Sequence, residues 1–464
     1  MDPAPKIALI VGIDEGGTRI LLTLIASFIF GYPYNLMTRK LSPNLQHTLN
    51  AITGIAFMYY CIGVGIIHCL FDICVIAILL NLAGGTLASV FITWLLVFGH
   101  LLWGYTHVLL EDSEVRNWTT PHTVITLKLI GLATSLYDAK TGKKINEKSS
   151  IDCQFALNSS RVQVMEVLGF CCLFCSCIVG PQIPFRRYRE FINGTLYDRE
   201  KVGGNMSYAL NRLGIAIFYS IIYVIISLYI PPVKYLLTPM FERQALWKKI
   251  LLSAAQFYFF YKQFTFVWLM AETGCITYGI SYVKEDSGHH WRGCACVFPL
   301  KWETATSGRD LAYAMNISVN TWVIYYIYKR LMPYIGPLLS QIAMALFICI
   351  WHGLYPGIFF PFLHQIPLIY FDRIVHKYIE TFYGKPNDWS VPSQVVFTLT
   401  YVVYLNIYEG FEVPFALLTL ENTLQFYKAV NYYGFYINLI EIPIGIFLNH
   451  LIRSSELKTL KKSQ

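Results

Sequence analysis

The chain has 464 residues, of which 55% are hydrophobic and 14% are charged, and its formal net charge is +8. A water-soluble protein of this length cannot bury so much apolar surface, so the composition excludes an ordinary soluble enzyme and indicates membrane helices. The basic residues lie mostly between apolar runs and do not follow one groove with interleaved aromatic residues, which argues against a nucleic-acid partner. In a membrane protein, the same distribution sets topology and attracts anionic lipid head groups.

Apolar runs recur from one end of the chain to the other, and a run of about 20 residues crosses the apolar core of a bilayer. Residues 1–17 form a short polar N-terminus without the apolar core of a signal peptide, so the first run is expected to be retained as an anchor. Runs 71–84 and 121–136 are short, which is typical of re-entrant or interfacial helices. We therefore predict an all-α, polytopic transmembrane helical bundle of about eleven spans with re-entrant or interfacial helices. The other runs are 18–36, 48–70, 86–105, 163–181, 209–231, 246–281, 311–329, 337–354, 355–371, 393–410, 411–430 and 431–452.

Three acidic residues, Glu166, Glu272 and Glu441, lie in apolar segments and must be paired, protonated or solvated there. A proton-coupled carrier would use such residues, so a membrane carrier with a polar site near the midplane is the main alternative class of function. The twelve cysteines do not suggest a disulfide framework, because most of them are scattered in apolar segments. We interpret them as reduced packing residues.

The strongest candidate for a chemical site lies in a predicted helical hairpin. Residues 311–330 predict a helix that would place Asn316 and Asn320 on one face, one turn apart. A break follows at residues 332–337, where prolines and a glycine interrupt the pattern. A second apolar helix then runs to His352, which is followed by glycine and proline residues that would end or kink it.

Both polar side chains lie deep in the predicted membrane region. Asn316 precedes Lys329 by 13 residues and His352 follows Pro337 by 15 residues, so each lies about 20 Å from the connection at about 1.5 Å per residue. Helices joined by a short connection are usually neighbours, so Asn316 and His352 can face one cavity. Polar side chains at that depth usually face a protein interior or a water-filled path, and the structural alternative is a histidine satisfied by a neighbouring side chain.

The pair has the chemistry of acyl transfer onto an alcohol. A neutral imidazole at a buried site is the usual general base for an alcohol, and His352 fits that role. Asn316 could hold the alcohol in line or donate a hydrogen bond to a developing oxyanion. The cysteines have no evident activating partner in the sequence, and a direct transfer needs no covalent intermediate.

The residues around this pair resemble the signature of a known family. Asn316 is followed by Trp322, and the segment Trp351-His352-Gly353-Leu354-Tyr355-Pro356-Gly357 places His352 36 residues after Asn316. This Asn and His pair resembles the signature of the membrane-bound O-acyltransferase (MBOAT) family. Residues 121–131 (PHTVITLKLIG), 179–182 (VGPQ) and 326–331 (YIYKRL) are similar to its lysophospholipid acyltransferase branch, most of all to members that use lysophosphatidylcholine. The resemblance extends from Phe30-Gly31-Tyr32-Pro33 to the C-terminal lysines.

The resemblance implies an acyl-CoA-dependent O-acyltransferase that forms a single domain over residues 1–464, with a basic cytosolic tail at 453–464. Acyl-CoA would be a co-substrate, no cofactor would be needed, and a lysophospholipid, first of all lysophosphatidylcholine, would be esterified at its free glycerol hydroxyl, the sn-2 position. His352 would act as the base and Asn316 as the positioning or stabilising group in a reaction chamber enclosed by the bundle. Lysophosphatidylinositol is the alternative acceptor, and a homo-oligomer is left open.

Further residues are expected to bind the substrates. Lys329 and Arg330 lie at the predicted mouth of the cavity and could pair with CoA phosphates, although membrane topology would explain their charges equally well. His122 and Lys128 lie in a matched segment, where the alternative is packing, with Lys128 extending to the interface. The other residues expected to line the chamber are Asn320, Trp322 and Trp351.

The run 185–189 carries three arginines that could bind CoA phosphates or simply face lipid head groups. Lys461 and Lys462 resemble a dilysine signal for retrieval to the endoplasmic reticulum, which would act only on a cytosolic tail. The alternative is a generic basic tail beside a membrane.

Four potential metal ligands, His289, His290, Cys294 and Cys296, lie within eight residues of one another. Their spacing is poor for a tetrahedral zinc site, and the family that the chain resembles needs no metal. We therefore expect no metal and interpret this segment as a loop that caps the bundle.

Overall fold

The computed structural model describes residues 2–11, 14–111, 117–143, 149–200, 202–284 and 290–463, without the side chains of residues 11, 108–111 and 458–463. Throughout these ranges every regular element is a helix. The prediction of an all-α protein is therefore confirmed. The backbone of the predicted C-terminal tail is helical as far as Ser463, whereas the side chains of Lys461 and Lys462 lie outside the described residues.

The helices range from single turns to more than 30 residues. The α-helices are Ala4–Val11, Glu15–Thr38, Pro43–Ile62, Ile66–Ala83, Leu87–Thr93, Gly99–Glu111, Thr119–Thr141, Ser150–Phe155, Val164–Cys171, Phe185–Ile192, Asn205–Ser227, Pro239–Glu242, Leu246–Tyr278, Pro299–Glu303, Gly308–Ala314, Ile317–Val323, Lys329–His352, Pro356–Tyr383, Val391–Glu409, Pro414–Leu417, Leu420–Ala429 and Tyr433–Ser463. Turns of 3₁₀-helix are Gly63–Gly65, Val233–Leu237, Pro386–Asp388 and Gly410–Glu412, and π-helical turns are Trp94–Phe98 and Ile324–Tyr328.

Seven helical stretches in the described residues are long and apolar enough to cross a bilayer. Length and composition are the criteria, because about 20 apolar residues match the thickness of the hydrocarbon layer. The prediction of a polytopic membrane protein is confirmed, and the figure of about eleven spans stays a prediction. The stretches are Glu15–Thr38, Pro43–Ala83, Leu87–His107, Asn205–Ser227, Ile317–His352, Pro356–Tyr383 and Tyr433–Leu457.

The short apolar runs differ from the sequence-based expectation. The run 71–84 lies in the helix Ile66–Ala83 except for its last residue, and this helix follows Pro43–Ile62 after one 3₁₀ turn and so continues a much longer helical stretch. The run 121–136 lies in the 23-residue helix Thr119–Thr141 and is almost entirely buried by protein. A helix that is buried on all sides needs no polar face, which explains why this run shows little helical periodicity.

The chain divides into two compact units. Unit 1 contains Met1–Tyr219, Thr265–Val297 and Ile317–Tyr334. Unit 2 contains Ser220–Phe264, Phe298–Asn316 and Ile335–Gln464. The single domain that is expected over residues 1–464 stays a prediction.

Unit 1 is organised around the buried helix Thr119–Thr141. Its Lys128 is 3% exposed, and the ammonium group donates to the carbonyl oxygens of Phe170 and Cys171 at 3.0 and 3.3 Å. These carbonyls lie at the end of the helix Val164–Cys171, where a cation satisfies acceptors that lack an intrahelical partner. Lys128 therefore caps a helix inside the protein and does not extend to the membrane interface.

The apolar run 163–181 is helical only as far as Cys171, and the chain from Cys172 to Pro184 is buried but irregular. Irregular backbone at membrane depth is stable where it is surrounded by protein. Gly54 permits this packing, because a Cβ atom there would lie 1.5 Å from the carbonyl oxygen of Cys172.

In unit 2, the helix Pro356–Tyr383 packs against Tyr433–Ser463 and against the short helix Pro414–Leu417. The run 411–430, which is apolar enough to suggest a span, is instead divided into Pro414–Leu417 and Leu420–Ala429. Leu418 lies between them with φ of 63°, a left-handed conformation that ends the first helix. Phe411, Phe426 and other aromatic residues bury this segment in the core of the unit.

Candidate active site

His352 lies in unit 2 and is the last residue of the helical stretch Lys329–His352, which is interrupted by a kink at Gly336, where φ is 77°. Gly353 follows with φ of 145°, and Tyr355 has an extended conformation before Pro356 begins the next helix. The helical conformation is disfavoured for a residue that precedes proline, such as Tyr355, and proline is favoured at the first helical position. The local sequence therefore separates the two helices here. Gly357 lies close to the backbone of Leu418, because the amide of Gly357 donates to the carbonyl oxygen of Leu418 at 2.7 Å.

The imidazole of His352 is half-buried among aromatic rings. Its ring centroid lies 4.7 Å from that of Trp351, 5.7 Å from that of Phe362 and 5.5 Å from that of Phe415. Trp351 itself is buried, with 7% of its surface exposed. No hydrogen bond to the ring nitrogens of His352 exists within the part of the chain that the structure describes, so these atoms are available to a substrate hydroxyl.

Asn316 lies between two helices and not inside one, which corrects the sequence-based expectation. The helix Gly308–Ala314 ends before it, the helix Ile317–Val323 begins after it, and its φ is 44°. Asparagine is one of the few residues that adopts this left-handed conformation at low cost. The expected single helix with Asn316 and Asn320 on one face is therefore wrong, since only Asn320 is helical.

Asn316 and His352 both belong to unit 2, and both are half-buried. No hydrogen bond joins the two side chains in the described ranges, and the amide of Asn316 bonds to no other described residue. The amide and the imidazole are each available to a substrate, and their joint action on one alcohol stays a prediction.

Trp322 and Asn320 lie in unit 1, on the helix Ile317–Val323. The indole N–H of the buried Trp322 donates to the carbonyl oxygen of Leu127 at 3.0 Å, and a Cβ atom on Gly131 would lie 2.8 Å from the indole nitrogen. Trp322 thus locks its helix against the buried helix of unit 1. Asn320 is half-buried, and its role in substrate binding stays a prediction.

The basic residues expected to bind CoA phosphates have carboxylate partners inside unit 1. The ammonium of Lys329 lies 2.6 Å from Asp152, and the guanidinium of Arg330 contacts both oxygens of Asp138 at 2.5 and 3.1 Å. A phosphate group would therefore meet cations whose charge is already balanced. Contact with CoA stays a prediction for both residues.

The arginines of the run 185–189 also bond within unit 1. Arg189 binds Glu166 through two hydrogen bonds of 2.7 and 3.0 Å, and Arg187 donates to the carbonyl oxygens of Ile280 and Tyr282. These contacts favour a structural role, because each guanidinium already has several acceptors.

A cavity of about 170 Å³ lies beside these arginines. It is lined by Cys153, Gln154, Arg186, Arg187, Glu190 and Leu196.

The three acids that the sequence analysis places in apolar segments each have at least one partner. Besides Glu166, Glu272 is 2.7 Å from Arg212 and accepts from the backbone amide of Val297 at 3.0 Å. Glu441 accepts a hydrogen bond from Tyr404. The ion pairs explain how Glu166 and Glu272 are tolerated, whereas the Oε2 atom of Glu441 is buried without a hydrogen-bond partner in the described residues.

Other polar residues in apolar segments were missed by the sequence-based reasoning. In unit 2, His364 lies 3.8 Å from Glu412, and both of its ring nitrogens are buried without a hydrogen-bond partner. In unit 1, Asp72 was missed; it lies 2.9 Å from the Nε2 atom of His122, which the sequence analysis did name, and which is fully buried. Substrate binding by His122 stays a prediction. A titratable residue inside an apolar run was the signal that could have identified Asp72, His364 and Glu412.

The described members of the suspected zinc set, His290, Cys294 and Cys296, do not form a ligand cluster. All twelve cysteines are free thiols. Cys294 and Cys296 direct their sulfur atoms toward backbone carbonyls, and His290 contacts the carbonyl oxygen of Val283. His289 lies outside the described residues.

The fold defines a class, that of polytopic helical membrane proteins, and a comparison with known families identifies the chain as a member of a family of enzymes that transfer acyl groups to a hydroxyl. Residues 117–410 match the model of the family described as MBOAT, membrane-bound O-acyltransferase family. The chain belongs to this family, and the family prediction is confirmed.

Curated relatives match along almost the whole length of the chain. Lysophospholipid acyltransferase 5 of Homo sapiens is 28% identical over 470 residues, which cover 98% of this chain and 94% of the relative. Lysophospholipid acyltransferase 5 of Drosophila melanogaster is 29% identical, covering 98% and 92%. Lysophospholipid acyltransferase of Schizosaccharomyces pombe is 24% identical, covering 93% and 87%. The similarity is therefore to whole proteins and not to a shared segment.

Proposed function

We propose that the chain is a lysophospholipid O-acyltransferase that uses acyl-CoA as the donor and lysophosphatidylcholine as the principal acceptor, at its free sn-2 hydroxyl. Membership of the family supports O-acyl transfer, and the names of the relatives support a lysophospholipid acceptor. The observation that carries the proposal is the half-buried imidazole of His352, which has aromatic neighbours and ring nitrogens free of bonds to described residues.

The reaction needs one base and one group that holds the reacting atoms. His352 takes the proton of the glycerol hydroxyl as the hydroxyl oxygen attacks the thioester carbon of acyl-CoA. A new C–O bond forms, the C–S bond breaks, and the proton passes from the imidazole to the leaving thiolate. Asn316 donates to the oxygen that develops negative charge or holds the hydroxyl in line, which is most effective where water is excluded.

The proposal includes the membrane in which the enzyme acts. Lys461 and Lys462 have the spacing from the C-terminus that resembles a dilysine retrieval signal. We assign the enzyme to the membrane of the endoplasmic reticulum, with the tail in the cytosol. Replacement of both lysines by serine should move a tagged protein to later compartments, and an unchanged distribution would contradict the assignment.

Acyl transfer is tested directly with labelled acyl-CoA. Microsomes that contain the full chain should acylate lysophosphatidylcholine, and His352→Ala should abolish this activity at an unchanged protein level. His450→Ala is the matched control, since His450 is exposed on the helix Tyr433–Ser463. A fully active His352→Ala variant would exclude the proposed base.

The acceptor is decided by competition in the same membranes. Lysophosphatidylcholine, lysophosphatidylethanolamine, lysophosphatidylserine and lysophosphatidylinositol are supplied together at equal concentration, and the products are separated by head group. Lysophosphatidylcholine should give the most product, and a dominant inositol product would correct the acceptor without changing the reaction class. Solute flux across sealed vesicles without acyl-CoA turnover would instead indicate a carrier.

A further inference from the structure

A compact group of one carboxylate and two imidazoles lies inside unit 1. Asp72 comes from the helix Ile66–Ala83, His100 from Gly99–Glu111 and His122 from Thr119–Thr141. Asp72 and His122 are fully buried, and the side chain of His100 is 16% exposed. Nδ1 of His100 lies 3.0 Å from Asp72, Nε2 of His122 lies 2.9 Å from Asp72, and one ligand atom from each of the three residues lies within 4.8 Å of the others.

The outer nitrogen of each imidazole has its own partner. Nε2 of His100 lies 3.2 Å from Nδ1 of His68, and Nδ1 of His122 lies 3.2 Å from the hydroxyl of Thr126. Histidines that bind a metal usually hydrogen-bond through the second ring nitrogen, which fixes the tautomer and the ring orientation. Both rings are therefore held so that Nδ1 of His100 and Nε2 of His122 point toward Asp72.

Aromatic rings pack against this group. Trp118 stacks on His68 with centroids 4.2 Å apart, and its ring lies 5.1 Å from His100 and 5.2 Å from His122. Trp103, which is 49% exposed, adds a second indole 5.7 Å from His100. Asp72 and His122 are themselves fully buried, and a low local dielectric constant strengthens the attraction between a buried carboxylate and a cation.

The charge of Asp72 needs a balancing cation. A buried carboxylate is costly unless a cation or a metal accompanies it. Within the described part of the chain, Asp72 forms no salt bridge to a lysine or an arginine, and its ion-pair partners are the two imidazoles alone. Either one imidazole carries a proton or a metal ion lies between the three residues.

Although no metal is expected from the sequence, we propose that Asp72, His100 and His122 bind one divalent transition-metal ion, with Zn²⁺ as the best match to two imidazole nitrogens and one carboxylate oxygen. This ligand set is also found in zinc and non-haem iron proteins, whereas Mg²⁺ and Ca²⁺ prefer all-oxygen sites. The ion would join three helices of unit 1, and His68 and Thr126 would orient its ligands. This proposal does not depend on the proposed lipid substrate.

Metal content of the purified full-length protein tests the site. The protein is extracted from membranes in detergent without chelators, dialysed against metal-free buffer and measured by plasma mass spectrometry, which should find about one ion per chain. Asp72→Asn and His122→Ala should each lose the ion. His47→Ala should keep it, since His47 is a buried histidine of the same unit whose ring bonds to Tyr188. A wild-type protein without metal, or equal metal in all variants, would overturn the proposal.

Spectroscopy on the wild type gives an answer even if the variants fail to fold. X-ray absorption at the zinc edge should show nitrogen and oxygen ligands at about 2.0–2.1 Å and no sulfur at about 2.3 Å. Protein stripped with chelator should take up Co²⁺ and gain its visible absorption bands, which Zn²⁺ should then remove. Sulfur ligation would place the ion at cysteines, and failure to take up either ion would leave a proton as the cation of Asp72; both results would overturn the site.

Discussion

The polar groups that the sequence places in apolar surroundings fall into two kinds, and they differ in their partners. In unit 1, Arg212, Lys329 and Arg330 each contact a carboxylate, and their charges are balanced within the protein. In unit 2, Asn316 and the ring of His352 have no hydrogen-bond partner in the described ranges. A paired polar group holds helices together, whereas an unpaired polar group remains available to a substrate. Lack of a partner does not by itself identify a catalytic residue, because the ring nitrogens of His364 in unit 2 also have no hydrogen-bond partner, so the variants below are needed to test the comparison.

The largest expected effect is that of His352→Gln on catalysis. Loss of a general base lowers the rate by about 10²–10⁴-fold. Because the ring of His352 bonds to no described residue, the thermal unfolding temperature in detergent should remain close to that of the wild type. Acyl transfer in membranes and unfolding of the purified protein measure the two effects separately. If the variant loses both activity and thermal stability, His352 has a structural role, and the contrast between the polar groups of the two units is wrong.

The opposite result is expected for Arg212→Met in unit 1. Glu272 would remain buried without its cation, and breaking such a pair costs about 3–5 kcal/mol of stability. Arg186→Met is the matched control, because the Arg186–Glu190 pair has both side chains 33% exposed, and exposed pairs contribute at most about 1 kcal/mol. Thermal unfolding in detergent should rank wild type, Arg186→Met and Arg212→Met in that order. Equal unfolding temperatures would show that the buried pair is not structural.

Asn316 allows a finer test, because a substitution can remove its side-chain amide and keep its backbone conformation. Its φ of 44° suits glycine as well as asparagine, so Asn316→Gly keeps the conformation and removes only the amide. Losing one donor to an oxyanion lowers the rate by about 10²–10³-fold. Asn431→Gly is the control, since Asn431 has φ of 54°, is exposed and lies outside the proposed pair. Full activity of Asn316→Gly would mean that only the backbone turn matters.

The sequence alone was sufficient for the fold class and the family. Hydrophobic composition fixes a helical membrane protein, and the Asn316, Trp322 and His352 spacing indicates the family that the comparison confirms. Local rules also located the end of the helix at His352, because Gly353 and Pro356 cannot continue it.

The partners of the polar side chains could not be predicted from the sequence. Asp72 and His122 are 50 residues apart, and Lys329 and Asp152 are 177 apart, so only packing brings them together. The turn at Asn316 was missed because periodicity continues across it, whereas its left-handed backbone is a single-residue event. Burial of the helix Thr119–Thr141 was also hidden, since a helix surrounded by protein has no amphipathic pattern.

The smallest effect is expected at Lys329. The directions in which two substitutions change the KM for acyl-CoA decide its role. If the ammonium contacts a CoA phosphate, as proposed from the sequence, Lys329→Met should raise the KM for acyl-CoA, by less than about fivefold because Asp152 already balances the charge. Asp152→Asn should then lower the same KM, since it frees the ammonium for the phosphate. Steady-state kinetics in detergent measure both, with kcat as the internal control. If neither substitution changes the KM for acyl-CoA, Lys329 forms only its ion pair with Asp152 and has a structural role.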